Sequence, residues 1–303
     1  MKKNGFTLVE LLATLIVLGI VGTIVFPIVG SIINTGKESL YQDQLDKIKS
    51  AAEEWAYLNL DLLPDENSEE KSVTVPIIEL QKKGHLPINI RDPRNDELLT
   101  DKITAVIIYY DNGKYSYVID EESENNIVNE YNENSPILVL NGNPLEYVEF
   151  DINNTGYVDK GAKAKDKYGS LIDEDEISVT YQYNGDEISS ISTDEFKTYT
   201  VVYSVTSVVD GKSYTSKIMR TVIVRDTTAP ELIIPGKTEI TLNEASSFKP
   251  LEGVSAPDNS GENITVTYSG FDVSVGQKIV SYTACDSHNN CITKKRIINI
   301  VEN

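Results

Sequence analysis

The pattern of hydrophobic and polar positions predicts one long helix at the start of the chain. The 26 residues from Leu11 to Gly36 contain no charged side chain, although Glu10 stands directly before them. As a helix this run would rise about 39 Å, whereas the hydrocarbon layer of a bilayer is roughly 30 Å thick. Beyond Gly36, apolar residues recur every three or four positions, as in an amphipathic helix that rests on a globular head and ends before Pro64: Leu40, Tyr41, Leu45, Ile48, Ala51, Ala52, Trp55 and Leu58.

A small α/β head is predicted after this helix. Pro76 suits the first position of a helix and Gly84 suits a C-terminal cap, so we expect a short helix between them. Strand-like runs flank Asp111-Asn112-Gly113-Lys114, which predicts a hairpin because Asn-Gly favours a tight two-residue turn. Residues 120–135 are acidic, rich in asparagine and nearly free of apolar side chains, which is typical of a hydrated linker.

Beyond residue 135 the hydrophobic period changes to two, with turn residues about every 8–12 positions, which favours β-sandwiches. The sequence of this region also repeats once. The aligned pairs are Pro136 with Pro230, Asp166 with Asp258, Tyr203 with Tyr282, and Arg220 with Arg296. The predicted fold class is therefore α+β: a long N-terminal helix with a small α/β head, followed by two all-β sandwiches.

Charge and composition limit the function. The chain has 47 acidic and 27 basic residues, a formal net charge of −20, so a phosphate backbone would be repelled and no nucleic-acid partner is expected. Two cysteines and two histidines offer little material for a metal centre or a catalytic Cys/His pair. The sequence also has no nucleophile elbow, H-E-x-x-H motif or phosphate loop. We therefore expect no catalytic residues, no cofactor and no metal.

Three polar groups are candidate ligand sites, but each has a structural explanation. Asp92, Asn95 and Asp96 could bind calcium, but they lack the order of ligands found in a calcium-binding loop. The acidic run from Asp173 to Glu176 is expected to be a solvated loop. His85, next to a capping glycine, is expected to be partly exposed.

Cys285 and Cys291 bracket a predicted five-residue turn near the end of the chain. Directly opposed residues of two antiparallel strands lie at a distance that a disulfide can span, and such a bond persists outside the cell. A disulfide between them is expected, and a pair of free thiols is the alternative.

Three explanations of the N-terminus compete. A cleaved secretory signal has a shorter apolar core and an A-x-A-like site, which this sequence lacks. A plain membrane anchor fits the length, with Lys2 and Lys3 on the cytoplasmic side, but leaves Glu10 unexplained. The run Gly5-Phe6-Thr7-Leu8-Val9-Glu10 resembles the processing site of type IV prepilins and type II secretion pseudopilins. That resemblance implies cleavage between Gly5 and Phe6 by a prepilin peptidase and N-methylation of Phe6.

Glu10 and Pro27 have expected roles in filament assembly. Cleavage would create an amino group at a helix N-terminus, where the helix dipole already contributes partial positive charge. An unpaired charge within an apolar filament core is costly, so Glu10 is expected to pair with the Phe6 nitrogen of another subunit. The alternative is that Glu10 lies in the lipid headgroup layer and has no role in assembly. Pro27 is expected to kink or loosen the helix, and the resemblance to pilins implies that this segment melts on assembly.

Both repeats resemble the bacterial immunoglobulin-like modules of cell-surface proteins, through "GYVDKGAKAKD" and "RTVIVRDTTAP" in the first copy and its junction with the second. The segment "ELQKKGHL", followed by the hairpin, resembles the head of Gram-positive pilin-like proteins. The resulting domain prediction is a leader at 1–5, a pilin helix and head at 6–119 with its membrane or filament-core part at about 6–36, a linker at 120–135, and immunoglobulin-like domains at 136–226 and 227–303.

Together these features predict a minor type IV pilin-like subunit of a bacterial surface filament, with its immunoglobulin-like modules serving adhesion or spacing. Such a subunit could stand along the shaft or at the tip of the filament. The alternatives are a pseudopilin of a type II secretion or DNA-uptake machinery and a plain membrane-anchored surface protein. The expected partners are a prepilin peptidase, other pilin subunits, the membrane as a single span before assembly, and a host, matrix or cell-surface ligand. The expected location is the cell membrane with the C-terminal part outside, and then the pilus or cell surface.

Overall fold

The computed structural model describes residues 8–120 and 132–303, and the side chains of residues 22 and 24–28 are outside this description. Within these residues the α-helices are α1 Leu8–Leu58, α2 Ile77–Lys82 and α3 Leu242–Ala245. Short 3₁₀ helices span Leu60–Leu62, Leu99–Asp101 and Glu174–Glu176. The strands are β1 Ser72–Pro76, β2 Ala105–Asp111, β3 Lys114–Asp120, β4 Ile137–Asn141, β5 Leu145–Glu149, β6 Ala162–Lys165, β7 Leu171–Ile172, β8 Ser178–Tyr183, β9 Asp186–Ile188, β10 Thr198–Val209, β11 Lys212–Arg225, β12 Glu239–Thr241, β13 Val266–Ser269, β14 Gly276–Cys285 and β15 Cys291–Val301.

The described chain divides into two compact units. The first unit contains the described residues up to Pro144, together with Lys160–Ser178 and Tyr203–Ile218. The second unit contains Leu145–Asp159, Val179–Val202 and Met219–Asn303.

Helix α1 is 51 residues long, and its second half supplies one side of the core of the first unit. Tyr41, Leu45, Ile48, Ala51, Ala52 and Trp55 are buried there, as the periodicity predicts, together with side chains of α2, β1 and β2. Leu40 and Leu58, which the periodicity placed on the same stripe, are instead exposed. The helix ends before Pro64, where the side chain of Asn59 donates to the Trp55 carbonyl at 2.9 Å and satisfies one of the carbonyls left open at a helix end.

A six-stranded sheet in the order β3-β2-β1-β4-β6-β7 completes the first unit. The hairpin predicted at Asn112-Gly113 is confirmed: Asp111 faces Lys114, and both turn residues have positive φ, 48° and 81°. Strand β1 was not predicted, although all five of its residues are buried. Pro76 is the last residue of that strand and precedes α2, so it does not occupy the first helical position as expected.

Strands β4, β6 and β7 come from the stretch predicted as the first immunoglobulin-like domain, yet they share a sheet with the head strands. Strand β4 pairs antiparallel with β1, and Thr74 Oγ1 donates to the Gly142 carbonyl at 2.7 Å. A five-stranded sheet in the order β5-β11-β10-β8-β9 contains the rest of that stretch. The domain boundaries derived from the sequence remain predictions, and residues 121–131 of the predicted linker lie outside the described residues.

The second unit contains a four-stranded sheet in the order β12-β15-β14-β13, whose apolar side chains form a core cluster. Strands β14 and β15 form a hairpin in which Cys285 faces Cys291. Helix α3 begins with a capping box, since the Thr241 side chain accepts from the Glu244 backbone and the Glu244 side chain accepts from the Thr241 backbone.

The aligned positions of the two sequence repeats are similarly buried. Tyr203 and Tyr282 are both fully buried, and Arg220 and Arg296 are both among the buried charged residues. With its long helix, small α/β region and sheet-rich, sandwich-like remainder, the chain has the predicted α+β fold.

Candidate functional site

The N-terminal motif begins outside the described part of the chain, because Gly5 and Phe6 both precede Leu8. Glu10 lies in the first turn of α1, and its side chain is exposed.

The first half of α1 exposes large apolar side chains on every side of the helix. The hydroxyls of Thr14 and Thr23 donate to the carbonyls of Leu11 and Ile20, so these polar side chains are already hydrogen-bonded within the helix. A helix that is apolar all round is found in a membrane or within other protein. The large apolar residues, each at least 45% exposed, are Leu8, Val9, Leu11, Leu12, Leu15, Ile16, Val17, Leu18, Ile20, Val21, Val29, Ile32 and Ile33.

Pro27 lies inside α1, but its side chain is outside the described set, and the expected kink remains a prediction. Among the residues that the structure describes, no helix is long and apolar enough to cross a membrane.

Two of the three polar groups that are candidate ligand sites in the sequence have local partners. Asp92 is 2% exposed and accepts hydrogen bonds from Arg94 Nη2 at 2.8 Å and Nε at 3.0 Å. His85 is of intermediate burial as a residue, with its side chain 8% exposed, and its Nδ1 lies 3.0 Å from Glu54 Oε2. The acidic run includes the short 3₁₀ helix Glu174–Glu176, which contains no buried residue.

Cys285 and Cys291 are joined by a disulfide in the structure, and no free cysteine remains. The bond joins the last residue of β14 to the first residue of β15 and closes the turn between them.

A cluster of carboxylates in the second unit was not anticipated. Asp226, Asp258 and Asp286 each place one oxygen within 4.8 Å of the others, and Asp226 makes a second such group with Glu262 and His288. These are the described side chains that could hold a metal ion. The available signal in the sequence was weak: Asp258 belongs to the repeat alignment, and Asp226 ends the first repeat.

Comparison with known proteins finds one family match, and no curated protein matches the chain. Residues 1–26 match the prokaryotic N-terminal methylation motif. The N-terminal segment therefore carries the motif of the type IV pilin and pseudopilin family. This motif implies processing by a prepilin peptidase, a membrane-anchored precursor, pilus-type assembly, and a location at the cell surface or in a filament.

Solved structures resemble the chain only distantly. A lipoprotein from Bacteroides thetaiotaomicron aligns at 15% identity and a TM-score of 0.23, over 54% of this chain and 80% of the lipoprotein. Protocadherin gamma B7 aligns at 10% identity with a TM-score of 0.24, over 65% of this chain and 57% of the protocadherin chain. The insect immune protein hemolin aligns at 11% identity with a TM-score of 0.21, over 66% of this chain and 56% of the hemolin chain. The chain thus spans less than two thirds of the protocadherin and hemolin chains, and scores this low support no functional statement.

Proposed function

We propose that this chain is a minor, type IV pilin-like subunit of a bacterial surface filament, which displays immunoglobulin-like modules for adhesion or spacing. The observation that carries the proposal is the methylation motif at residues 1–26, continued by a helix with exposed apolar side chains. A structural role accounts for these features without catalysis, so we expect no hydrolase activity from the chain.

The exposed apolar half of α1 needs an apolar surrounding. Burial of such side chains is favourable by about 25 cal/mol per Å² of apolar surface, so a helix of this kind is driven out of water. We propose that the bilayer supplies this environment before assembly, with the helix as a single span, and that the helices of other subunits supply it afterwards. By sequence length alone, the uncharged run Leu11–Gly36 would rise about 39 Å as a helix, against roughly 30 Å of hydrocarbon.

Glu10 would set the axial position of each subunit. After cleavage, the amino group of Phe6 would enter an apolar filament core, where an unpaired charge is costly. A carboxylate at the start of the helix can neutralise the amine of a neighbouring subunit at one register only. The position of Glu10 directly before the charge-free run Leu11–Gly36 supports this role.

The size of the C-terminal part favours a minor or tip position. Residues 136–303 form sheets that would crowd a tightly packed filament if every subunit carried them, whereas occasional or terminal subunits have room. A pseudopilin of a secretion or DNA-uptake machinery has the same N-terminal motif and is the second candidate.

The register role is tested by filament incorporation of Glu10→Ala and Glu10→Gln. We expect Glu10→Ala to reduce incorporation about tenfold or more, since 1.4 kcal/mol of lost pairing corresponds to tenfold. Glu10→Gln should be intermediate, because it keeps an acceptor but loses the charge. Asp46→Ala, which removes an exposed acid farther along the same helix, is the matched control. Wild-type incorporation of Glu10→Ala would exclude the pairing role.

The minor or tip position is tested by immunogold labelling of filaments with antibody against residues 136–303. Sparse or tip label is expected. Continuous label along the shaft would contradict the minor role, and shed filaments without label would favour the pseudopilin.

A further inference from the structure

Three aspartates of the second unit meet at one point although they lie far apart in the sequence. Asp226 directly follows β11, Asp286 directly follows β14, and Asp258 precedes β13 in a loop. One carboxylate oxygen of each lies within 4.8 Å of the other two. Ligands of a single Ca²⁺ lie 2.3–2.6 Å from the ion and are therefore at most about 5 Å apart, so this spacing is compatible with one ion.

Two of these aspartates present an oxygen that has no hydrogen-bond donor. The Asp226 side chain is 0% exposed, and its buried Oδ2 has no hydrogen-bond partner. The buried Oδ2 of Asp258 also has none. The second oxygen of each is anchored: Asp226 Oδ1 accepts from the Thr228 backbone at 3.2 Å, and Asp258 Oδ1 accepts from the Ser260 backbone at 3.0 Å. Each side chain is thus fixed by one oxygen, while its other oxygen is buried without a hydrogen-bond donor.

The negative charge of the cluster is not balanced by a strong base. Among the described residues, no lysine or arginine forms an ion pair with these three aspartates, and the nearest basic group to Asp226 Oδ2 is His288 Nδ1 at 3.6 Å. Bringing carboxylates together out of water is unfavourable unless a cation joins them.

The surrounding loops are held in place by hydrogen bonds of their own. Asp286 Oδ1 accepts from the backbones of His288 and Asn290, both at 2.8 Å. Glu149 Oε1 accepts from the Thr227 backbone at 3.0 Å and from Asn259 Nδ2 at 3.1 Å. A site held in this way loses little conformational entropy when it binds a ligand.

We propose that Asp226, Asp258 and Asp286 form a binding site for a divalent cation, with calcium as the expected ion. All three ligands are carboxylates, and hard oxygen donors select Ca²⁺ over the softer transition metals. Ca²⁺ takes six to eight oxygens, so Glu262 or water would complete the shell. This site does not depend on the filament role, and it departs from the expectation of no metal drawn from the sequence.

Bound calcium would tie the junction Asp226–Pro230 to the loops that carry Asp258 and Asp286. Along the sequence, Asp226 is the last residue of the first repeat, and the other two aspartates belong to the second. The ion would therefore stiffen the segment that leads from one repeat to the next.

The test is calcium titration of the full chain, purified in detergent and freed of metal with EDTA, by calorimetry and thermal unfolding. Extracellular calcium modules bind with dissociation constants of roughly 10⁻⁴ to 10⁻³ M. At 10 mM CaCl₂ we therefore expect the unfolding temperature to rise by about 3–10 °C. MgCl₂ at the same concentration should have a much smaller effect.

The decisive variant is Asp226→Asn, whose unfolding temperature is compared with that of the wild type in EDTA and in CaCl₂. In EDTA it should unfold at a higher temperature than the wild type, because the new amide can donate to a neighbouring carboxylate and one charge is gone. In CaCl₂ it should lose the calcium-dependent rise. Asp258→Asn is a second variant with the same expected loss, and Asp175→Asn, in the exposed acidic run, is the matched control that keeps the wild-type response.

Absence of calcium binding at 10 mM would overturn the proposal. An equal calcium response in the wild type and in both Asp226→Asn and Asp258→Asn would also overturn it, because the ion would then bind elsewhere. Binding of Zn²⁺ without binding of Ca²⁺ would assign the cluster, with His288, to a different metal chemistry and would contradict the proposal as stated.

Discussion

Arg220 provides a quantitative test of how the second unit is held together. Its side chain is 0% exposed, and Nη1 lies 2.9 Å from Asp159 Oδ1 while Nε lies 3.8 Å from Glu146 Oε2. Both carboxylates are themselves largely buried, at 14% and 15% exposure. Replacing Arg220 by methionine keeps the apolar stem but removes the cation from between two acids.

The expected loss of folding stability follows from the two buried carboxylates that lose their cation when Arg220 is replaced. Removing one partner of a buried ion pair costs about 3–5 kcal/mol, because the remaining charge stays buried. Arg296, the aligned residue of the second repeat, instead donates to the backbone carbonyls of Pro235 and Lys237. Those acceptors are neutral, so Arg296→Met should cost only about 1–3 kcal/mol.

The assay is calorimetric unfolding of the full chain with each single variant and with Arg220→Met combined with Asp159→Asn. We expect Arg220→Met to be less stable than Arg296→Met, and the double variant to recover part of the loss because it removes one stranded charge. Equal losses for the two single variants, or no recovery in the double variant, would refute the reasoning.

Three further predictions concern stability. Replacing both disulfide cysteines by serine should cost about 2 kcal/mol, since the bond closes a loop with a sequence separation of only 6; a calorimetric loss below about 0.5 kcal/mol would contradict this. Gly270→Ala should destabilise the chain far more than Gly276→Ala, because both glycines have positive φ but only the Cβ at 270 would collide with the Ile279 carbonyl oxygen; similar unfolding temperatures would contradict this. Hydrogen bonds from Arg94 hold the pKa of Asp92 below its usual value, so its stabilisation is present above about pH 4 and lost as the pH falls further. Asp92→Asn should accordingly be less stable than the wild type at pH 6, with a gap that narrows towards pH 3 in denaturant titrations, and a gap independent of pH would contradict this.

The long helix and the hairpin were predictable because their signals are local. A charge-free run, a 3–4-residue apolar period and an Asn-Gly turn each specify backbone geometry within a few residues. Strand β1 escaped prediction because its burial depends on β2 and β4, which lie much later in the sequence. A short β-branched run that ends in proline carries little local information by itself.

The carboxylate cluster could not be predicted because it too depends on residues that lie far apart in the sequence. Asp226, Asp258 and Asp286 each stand in a turn-like stretch where aspartate is common, so none of them is unusual alone. Only the folded second unit brings their oxygens to one point. At the N-terminus the situation is reversed, since the motif that defines processing is contiguous in the sequence.

The most direct test of the filament account is the N-terminal residue of the protein recovered from cells, read by intact mass and N-terminal peptide sequencing. The account predicts a chain that begins at Phe6 and carries a methylated amino group. A chain that still begins at Met1, or at any residue other than Phe6, would contradict it.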